Sequence, residues 1–280
     1  MTAHLSLQRL VVRLLYDPAL VDSLHSDPGR VLGPLSLPEG TEQWLLSVDR
    51  RAWGIDSLRR SRTLFTLLEE FPASTTLGFQ QPDAATRLDR FFSSHRFHHA
   101  IQNRASLAPT FGDWWRLDCN EGHWPRETTC LLQIETCIAQ LRRAINPDHG
   151  VLHSPGPGEV MMHPGVGLVR LPTGSLNLYS HVLNAMGPSR SLEPIIRGEV
   201  SLSSLPAVDL DQEETLLVDP FSDNGGVGSV DDSLADLLRI AKTPIAREAL
   251  FDGMLTLGAE PGEQMEILEG LMMDGLLMEN

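Results

Sequence analysis

Residues 232–278 are divided by capping and turn residues into short helices, which a final apolar strand follows. Asp232 and Thr243 are suited to cap helix N-termini, and Pro244 is suited to a first helical position. Gly275 is suited to end the last helix. Together these residues predict three helices, over 233–241, 244–257 and 258–274, and a strand over 276–278. Two strands and a hairpin turn are predicted upstream, at 166–172, 214–220 and 223–226. Strands followed by three helices and a last strand are the element order of a winged helix.

The charge of this segment is the opposite of the charge that DNA binding requires. From Asp209 to Asn280 only three residues are basic (Arg239, Lys242 and Arg247), against seventeen acidic ones. A helix-turn-helix that binds nucleic acid needs Lys and Arg to neutralise phosphates, and this segment would repel them. We therefore expect the winged-helix-like module to bind a peptide and no nucleic acid. A transcription regulator is the alternative that the element order alone would allow.

The first half of the chain has a balanced charge and a helical pattern. Residues 1–143 contain sixteen basic and sixteen acidic side chains, so the excess behind the net charge of −15 lies further on. Apolar residues recur at steps of three and four, which is typical of helices with one buried face. Asp17 followed by Pro18 is suited to begin a helix. Further helices are predicted over 39–48, 55–71, 86–103 and 128–144.

Pro and Gly are dense between residues 146 and 158, which is typical of a linker between two units. The predicted fold is therefore α+β, mostly α. It consists of an all-helical domain over 1–145, a linker over 146–160 and an α+β winged-helix-like domain over 161–280.

The expected location of the protein is the cytoplasm. The N-terminus shows no signal peptide, and no apolar run approaches the roughly 18–20 residues that a membrane span requires. The three cysteines form no CxxC pair, which suits a reducing compartment. We expect no membrane partner.

Two groups of residues are candidate metal ligands. On a helix, His95 and His99 are separated by four residues, a spacing that can hold a metal, and His98 lies between them. No acidic residue stands between them and no third ligand is evident, so a surface or interface role is favoured. The other group, which could form a zinc site, consists of Cys119, His123, Cys130 and Cys137. For its cysteines, buried free thiols are the favoured interpretation. We predict no metal and no catalytic residue in this chain.

Aromatic residues are concentrated between residues 97 and 116, and Arg116 directly follows the two tryptophans. Trp and Arg are enriched at protein–protein interfaces, whereas the alternative is core packing at a helix end. The candidate partner-binding residues are Phe97, His98, Phe111, Trp114, Trp115 and Arg116.

Several phrases of the chain resemble one known family. They are LYDPALVDSLHSDP, DRRAWGIDSLRRSRTLFTLLEEFPAS, FFSSHRFHHAIQNRASLAPTFGDWW, GVGLVRLPTGSLNLY and EPGEQMEILEGLMMDGLLM. Together they are similar to the partner subunits of multinuclear non-haem iron-dependent oxidases, which modify ribosomally made precursor peptides. The family includes partners in methanobactin and 3-thiaglutamate biosynthesis, and the length and acidic C-terminal module are closer to the thiaglutamate type.

This resemblance implies a non-catalytic subunit with two tasks. The helical domain would dock onto a TIM-barrel oxidase as a heterodimer, and the C-terminal module would hold the leader of the precursor as an added strand. The iron would belong to the oxidase, and this chain would contribute no cofactor. The reaction would modify a cysteine, with β-carbon excision for the thiaglutamate type. The implied peptide-binding residues are Leu216, Leu217, Val218, Met265, Leu268 and Met272. The groove would lie between this strand or its neighbouring strand and the helix of the methionines, and which strand is the edge is left open.

The chain is therefore expected to have no activity alone and to be a required subunit of an oxidase complex. The alternative of another class is a metalloenzyme that uses His95, His98 and His99.

Overall fold

The computed structural model describes residues 3–54, 58–144, 154–188, 190–202, 204–222 and 226–279. The fold is α+β and mostly helical, with two small antiparallel sheets, which confirms the predicted fold class. The chain divides into two compact units. The first unit is Met1–Pro125 with Ser189–Ser201, and the second unit is Arg126–Pro188 with Leu202–Asn280.

The helices are, in chain order, α1 Ala3–Tyr16, α2 Pro18–Ser26, α3 Pro28–Leu32, α4 Thr41–Ser47, α5 Arg59–Glu69, α6 Pro72–Gly78, α7 Ala84–Asp89, α8 His95–Asn103, α9 Leu107–Cys119, α10 Glu127–Ala144, α11 Ser175–Ala185, α12 Glu193–Ile196, α13 Asp232–Ile240, α14 Arg247–Thr256 and α15 Gln264–Met273. Short 3-10 helices span Arg50–Gly54 and Arg90–Ser93. The strands are β1 Glu159–Met162, β2 Gly167–Thr173, β3 Asp209–Val218, β4 Val227–Val230, β5 Ile245–Ala246 and β6 Leu277–Glu279. Among the described residues no helix is both long and apolar enough to cross a membrane.

Side-chain caps set several of the helix starts. The carboxylate of Asp17 accepts hydrogen bonds from the backbone N–H groups of the first turn of α2, which confirms the predicted start. The helix predicted over 86–103 is instead broken, because Ser94 is extended and its hydroxyl caps α8. The cap predicted at Asp232 is one residue off. The extended residue Asp231 accepts from Leu234 N–H at 2.7 Å, and Asp232 is the first helical residue.

Helix α10 belongs to the second unit, whereas the predicted boundary at residue 145 placed it with the helical domain. The helix packs against β2 and α11. Gly167 allows this approach, because a Cβ there would lie 2.9 Å from Cys137 Sγ and 3.1 Å from a Leu141 methyl group. The helix buries a broad apolar face, which includes Leu131, Ile134 and Ile138. The predicted linker lies partly outside the described residues, and its last two residues begin β1.

The second unit contains two three-stranded antiparallel sheets. In one sheet the order is β5-β1-β6, and in the other it is β2-β3-β4. Strands β2 and β3 correspond to predicted strands, although β3 begins earlier and ends two residues sooner than expected. Strands β1 and β5 were not predicted, because four-residue and two-residue strands carry little periodic signal. The core of the helical part is formed by buried residues of α13, α14, α15 and β1, such as Leu238, Leu250, Leu268 and Val160.

Candidate functional site

The predicted partner-binding aromatics lie mainly in the core of the first unit. Phe97, Phe111 and Trp115 are completely buried. The rings of Phe111 and Trp115 are in direct contact, with centroids 5.6 Å apart. Phe91 connects Phe111 with Phe97, at centroid distances of 5.1 Å and 5.4 Å. The core-packing alternative therefore describes these three side chains. Only two residues of the predicted patch are partly exposed, Trp114 and Arg116.

His98 also points inward, where it lies between two charged groups. Arg13 Nε donates to His98 Nδ1 at 2.6 Å, and His98 Nε2 lies 3.3 Å from Asp17 Oδ2 and 3.2 Å from the carbonyl of Phe92. Burial opposes ionisation of Asp17. The hydrogen bond from His98, with those from the N–H groups of Leu20 and Ala19, nevertheless holds the pKa of this carboxyl below its ordinary value. His98 is thus part of a buried network and not of a docking surface.

The structure does not bring the histidines together around one point. His95 and His99 stack with ring centroids 6.1 Å apart, and His99 Nε2 lies 2.9 Å from the side-chain amide of Asn103. In the described part of the chain no three His, Cys, Asp or Glu residues are grouped to hold a metal.

The three cysteines are free thiols. Cys119 and Cys130 are buried and Cys137 is half-buried. Burial raises the pKa of the Cys130 thiol, and it raises the pKa of Cys137 to about 11. Both thiols of α10 are therefore protonated at neutral pH, which makes them poor nucleophiles.

The predicted peptide-binding strand has no free edge where it was expected. Leu216, Leu217 and Val218 lie on β3, the central strand of its sheet, and they pair with β2 on one side and with β4 on the other. The side chains of Leu216 and Val218 are completely buried. A peptide cannot add as a strand to backbone that is already paired on both sides, so the edge has to be another strand, which is the alternative that the sequence left open.

The predicted helix residues divide between core and surface. Leu268 is buried, Met272 is partly buried and Met265 is 44% exposed. Met273, which lies outside the predicted set of peptide-binding residues, is 88% exposed. On α15, Met265, Glu269 and Met273 follow one another at steps of four, so they form one exposed stripe of the helix.

The strand that follows α15 is an edge strand. In its sheet β6 pairs only with β1, and helix α15 packs against it. His163 N–H donates to Leu276 O at 2.9 Å, so hydrogen-bonded and non-hydrogen-bonded pairs alternate from that point along β6. By this alternation the backbone N–H and C=O groups of Leu277 and Glu279 face away from β1. No described strand pairs with them on that side.

The candidate site is therefore the free edge of β6 with the exposed stripe of α15, which we call the β6 edge. Its charges are mostly negative, because Glu266, Glu269 and Asp274 are exposed around the methionines. Glu279 is paired with Arg247. A backbone edge beside flexible apolar side chains and carboxylates can bind an extended chain with apolar and basic side chains.

Comparison of the chain with protein-family models and with curated proteins gave no match.

Proposed function

We propose that the second unit binds a peptide as an added strand at the β6 edge. The observation that carries this proposal is an unpaired antiparallel edge strand, directly preceded by a helix with two exposed methionines. Main-chain hydrogen bonds to Glu279 would supply affinity, because Glu279 is partly exposed whereas Leu277 is only 3% exposed, and alternate side chains of the peptide would contact α15.

The connectivity of this region supports a winged-helix-like recognition module. Helix α13, strand β5, helices α14 and α15, and strand β6 follow each other in the winged-helix order. This region differs from the plain winged-helix order in its central strand β1, which comes from far upstream in the chain and pairs with both β5 and β6. In this proposal β1 completes the small sheet and β6 is left as its unpaired edge, which is partly exposed at Glu279.

The charge of the module supports a basic peptide as the ligand. Within 209–280 seventeen acidic residues face only three basic ones. Complementary charge speeds the encounter of two partners and selects between them. The same charge argues against phosphates, so the module is proposed to bind a peptide and not DNA.

The wider proposal follows the sequence resemblance. The chain acts as a non-catalytic, cytoplasmic partner subunit that presents a ribosomally made precursor peptide to an iron-dependent TIM-barrel oxidase, which modifies a cysteine of the peptide. The thiaglutamate-type likeness favours excision of the β-carbon of a C-terminal cysteine. The iron belongs to the oxidase. Of the residues assigned to docking, Trp114 and Arg116 keep this role, because their side chains reach the surface of the first unit.

Co-purification tests this proposal. The tagged full chain is expressed with the iron-dependent oxidase encoded beside it, and the product is studied by size-exclusion chromatography with light scattering and by metal analysis. We expect a heterodimer with iron only in the oxidase. This heterodimer should bind the precursor peptide encoded beside it more tightly than a scrambled peptide of the same composition. Absence of association would contradict the partner role. Metal retained by this chain alone, and lost in His99→Ala, would support the metalloenzyme instead, and salt-sensitive DNA binding would support a regulator.

A further inference from the structure

A cavity in the first unit, remote in sequence from the β6 edge, has a polar and basic lining. It has a volume of about 370 Å³ and lies between α1, residues 34–36 and the C-terminal end of α8. Its polar lining residues are Ser6, Arg9, Arg13, Ser36, Gln102 and Asn103. No carboxylate is among the described residues that line it, although the chain as a whole has a net charge of −15.

One face of α1 supplies the two guanidinium groups. Ser6, Arg9 and Arg13 are separated by three and four residues, so their side chains leave the helix on the same side. Both arginines are partly buried. Two cations therefore lie in one cavity. Water screens their charges less there than on an open surface.

The charge of Arg13 is balanced by Asp17 only through His98, which lies between them. Its Nε–H donates to His98 Nδ1, so the proton of this imidazole is on Nε2 and faces Asp17. In the described part of the chain the structure gives the two terminal nitrogens of Arg13 no hydrogen-bond acceptor. Burial lowers the pKa of Arg13, and the charge of Asp17 opposes this effect. A positive charge that burial disfavours, with unused donors, is stabilised when an anion binds.

We propose that this cavity binds a small organic oxyanion, a carboxylate or a phosphate ester, whose charged head is held by Arg9 and Arg13. The hydroxyl of Ser36 and the amide of Gln102 are neutral partners for the remaining polar atoms of the ligand. Leu10 and Leu35 provide apolar contact for its carbon atoms. The cavity volume suits a small molecule, and the site is independent of the peptide site proposed above.

The test uses the full chain, with inorganic phosphate and succinate as separate probes at constant ionic strength set with sodium chloride. Isothermal titration calorimetry should show saturable binding of at least one probe, at about one site per chain. Thermal unfolding should shift upward with the concentration of that probe, because a ligand that binds only the folded state stabilises it. Binding of phosphate alone or of succinate alone identifies the head group.

Variants assign the binding to this cavity. Ser36→Asp places a carboxylate beside the arginines without touching the Arg13–His98 hydrogen bond. It should weaken binding about tenfold or more, while the unfolding temperature without anion is not lowered. Arg30→Gln removes an exposed arginine of α3 and should leave binding unchanged. Absence of saturable binding for both probes, equal binding by Ser36→Asp, or an equal loss in Arg30→Gln would each overturn the proposal.

Discussion

In the first unit the large aromatic side chains lie inside, whereas in the second unit long side chains of α15 lie at the surface. Six aromatic side chains of the first unit are almost or completely inaccessible to solvent: Phe71, Phe91, Phe92, Phe97, Phe111 and Trp115. In the second unit Met265 and Met273 are exposed beside a strand edge. Dense aromatic sequence therefore marks the interior of one unit, whereas the candidate binding surface of the other depends on backbone groups and flexible methionines.

We expect the largest loss of stability when a buried side chain of the first unit is removed. Trp115→Ala should lower the free energy of unfolding by about 3–5 kcal/mol, because a completely buried indole is removed and a cavity remains. Urea unfolding followed by circular dichroism measures this change. Trp44→Ala is the control, because Trp44 is 51% exposed and should change stability by only about 0.5 kcal/mol. Equal effects of the two substitutions would contradict the burial of Trp115.

A second change tests the packing of α10 in the second unit. Gly167→Val should lower stability by about 1–3 kcal/mol, because its side chain would collide with Cys137 and Leu141. Gly228→Ala on β4 is the control, since a Cβ there meets no atom within 4 Å. Thermal unfolding of both variants measures the difference. If Gly167→Val were as stable as the control, α10 would not pack on β2 as described.

A smaller effect concerns the start of α13. Asp231→Ala should cost about 1 kcal/mol, because the hydrogen bond to the N–H of Leu234 is lost. Asp232→Ala, one residue later, leaves this bond in place and should cost clearly less. Chemical denaturation of the two variants measures both costs, and the reverse order would restore the cap that the sequence predicted.

The last effect is pH-dependent and belongs to the first unit. Because the pKa of Asp17 is lowered in the folded protein, its ionised form contributes stability above the pKa of an unfolded Asp. This contribution is lost as the pH falls from there through the folded pKa. Comparison of wild type with Asp17→Asn over a series of acidic pH values should show a steeper loss of stability in wild type. Parallel curves would mean that Asp17 is not part of the ionic network.

The sequence predicted the fold class and the short helices of the C-terminal region, because caps and turn residues act locally. Asp17, Pro18 and Gly275 are examples of such local signals. That α10 belongs to the second unit could not be predicted, because it depends on the contact of Gly167 with Cys137 and Leu141, which lie more than twenty residues upstream.

The candidate site was only partly accessible to sequence reasoning. Met265 and Met272 were predicted on the right helix, and the position of Met273 at a step of four from Glu269 would have pointed to the exposed stripe. The edge strand could not be predicted for a physical reason. Which strand is an edge is decided by long-range pairing, and the partner of β6 is β1, more than a hundred residues upstream.

One measurement tests the central claim, that a peptide adds to the β6 edge. A dye-labelled synthetic copy of the neighbouring precursor peptide is titrated with the full chain by fluorescence anisotropy. Glu279→Pro removes an N–H that faces away from β1, whereas Glu279→Gln keeps it and removes only the charge that pairs with Arg247. We predict that Glu279→Pro binds about fivefold or more weakly than Glu279→Gln, since one main-chain hydrogen bond is lost. Equal affinities of the two variants, both folded, would contradict strand addition at this edge.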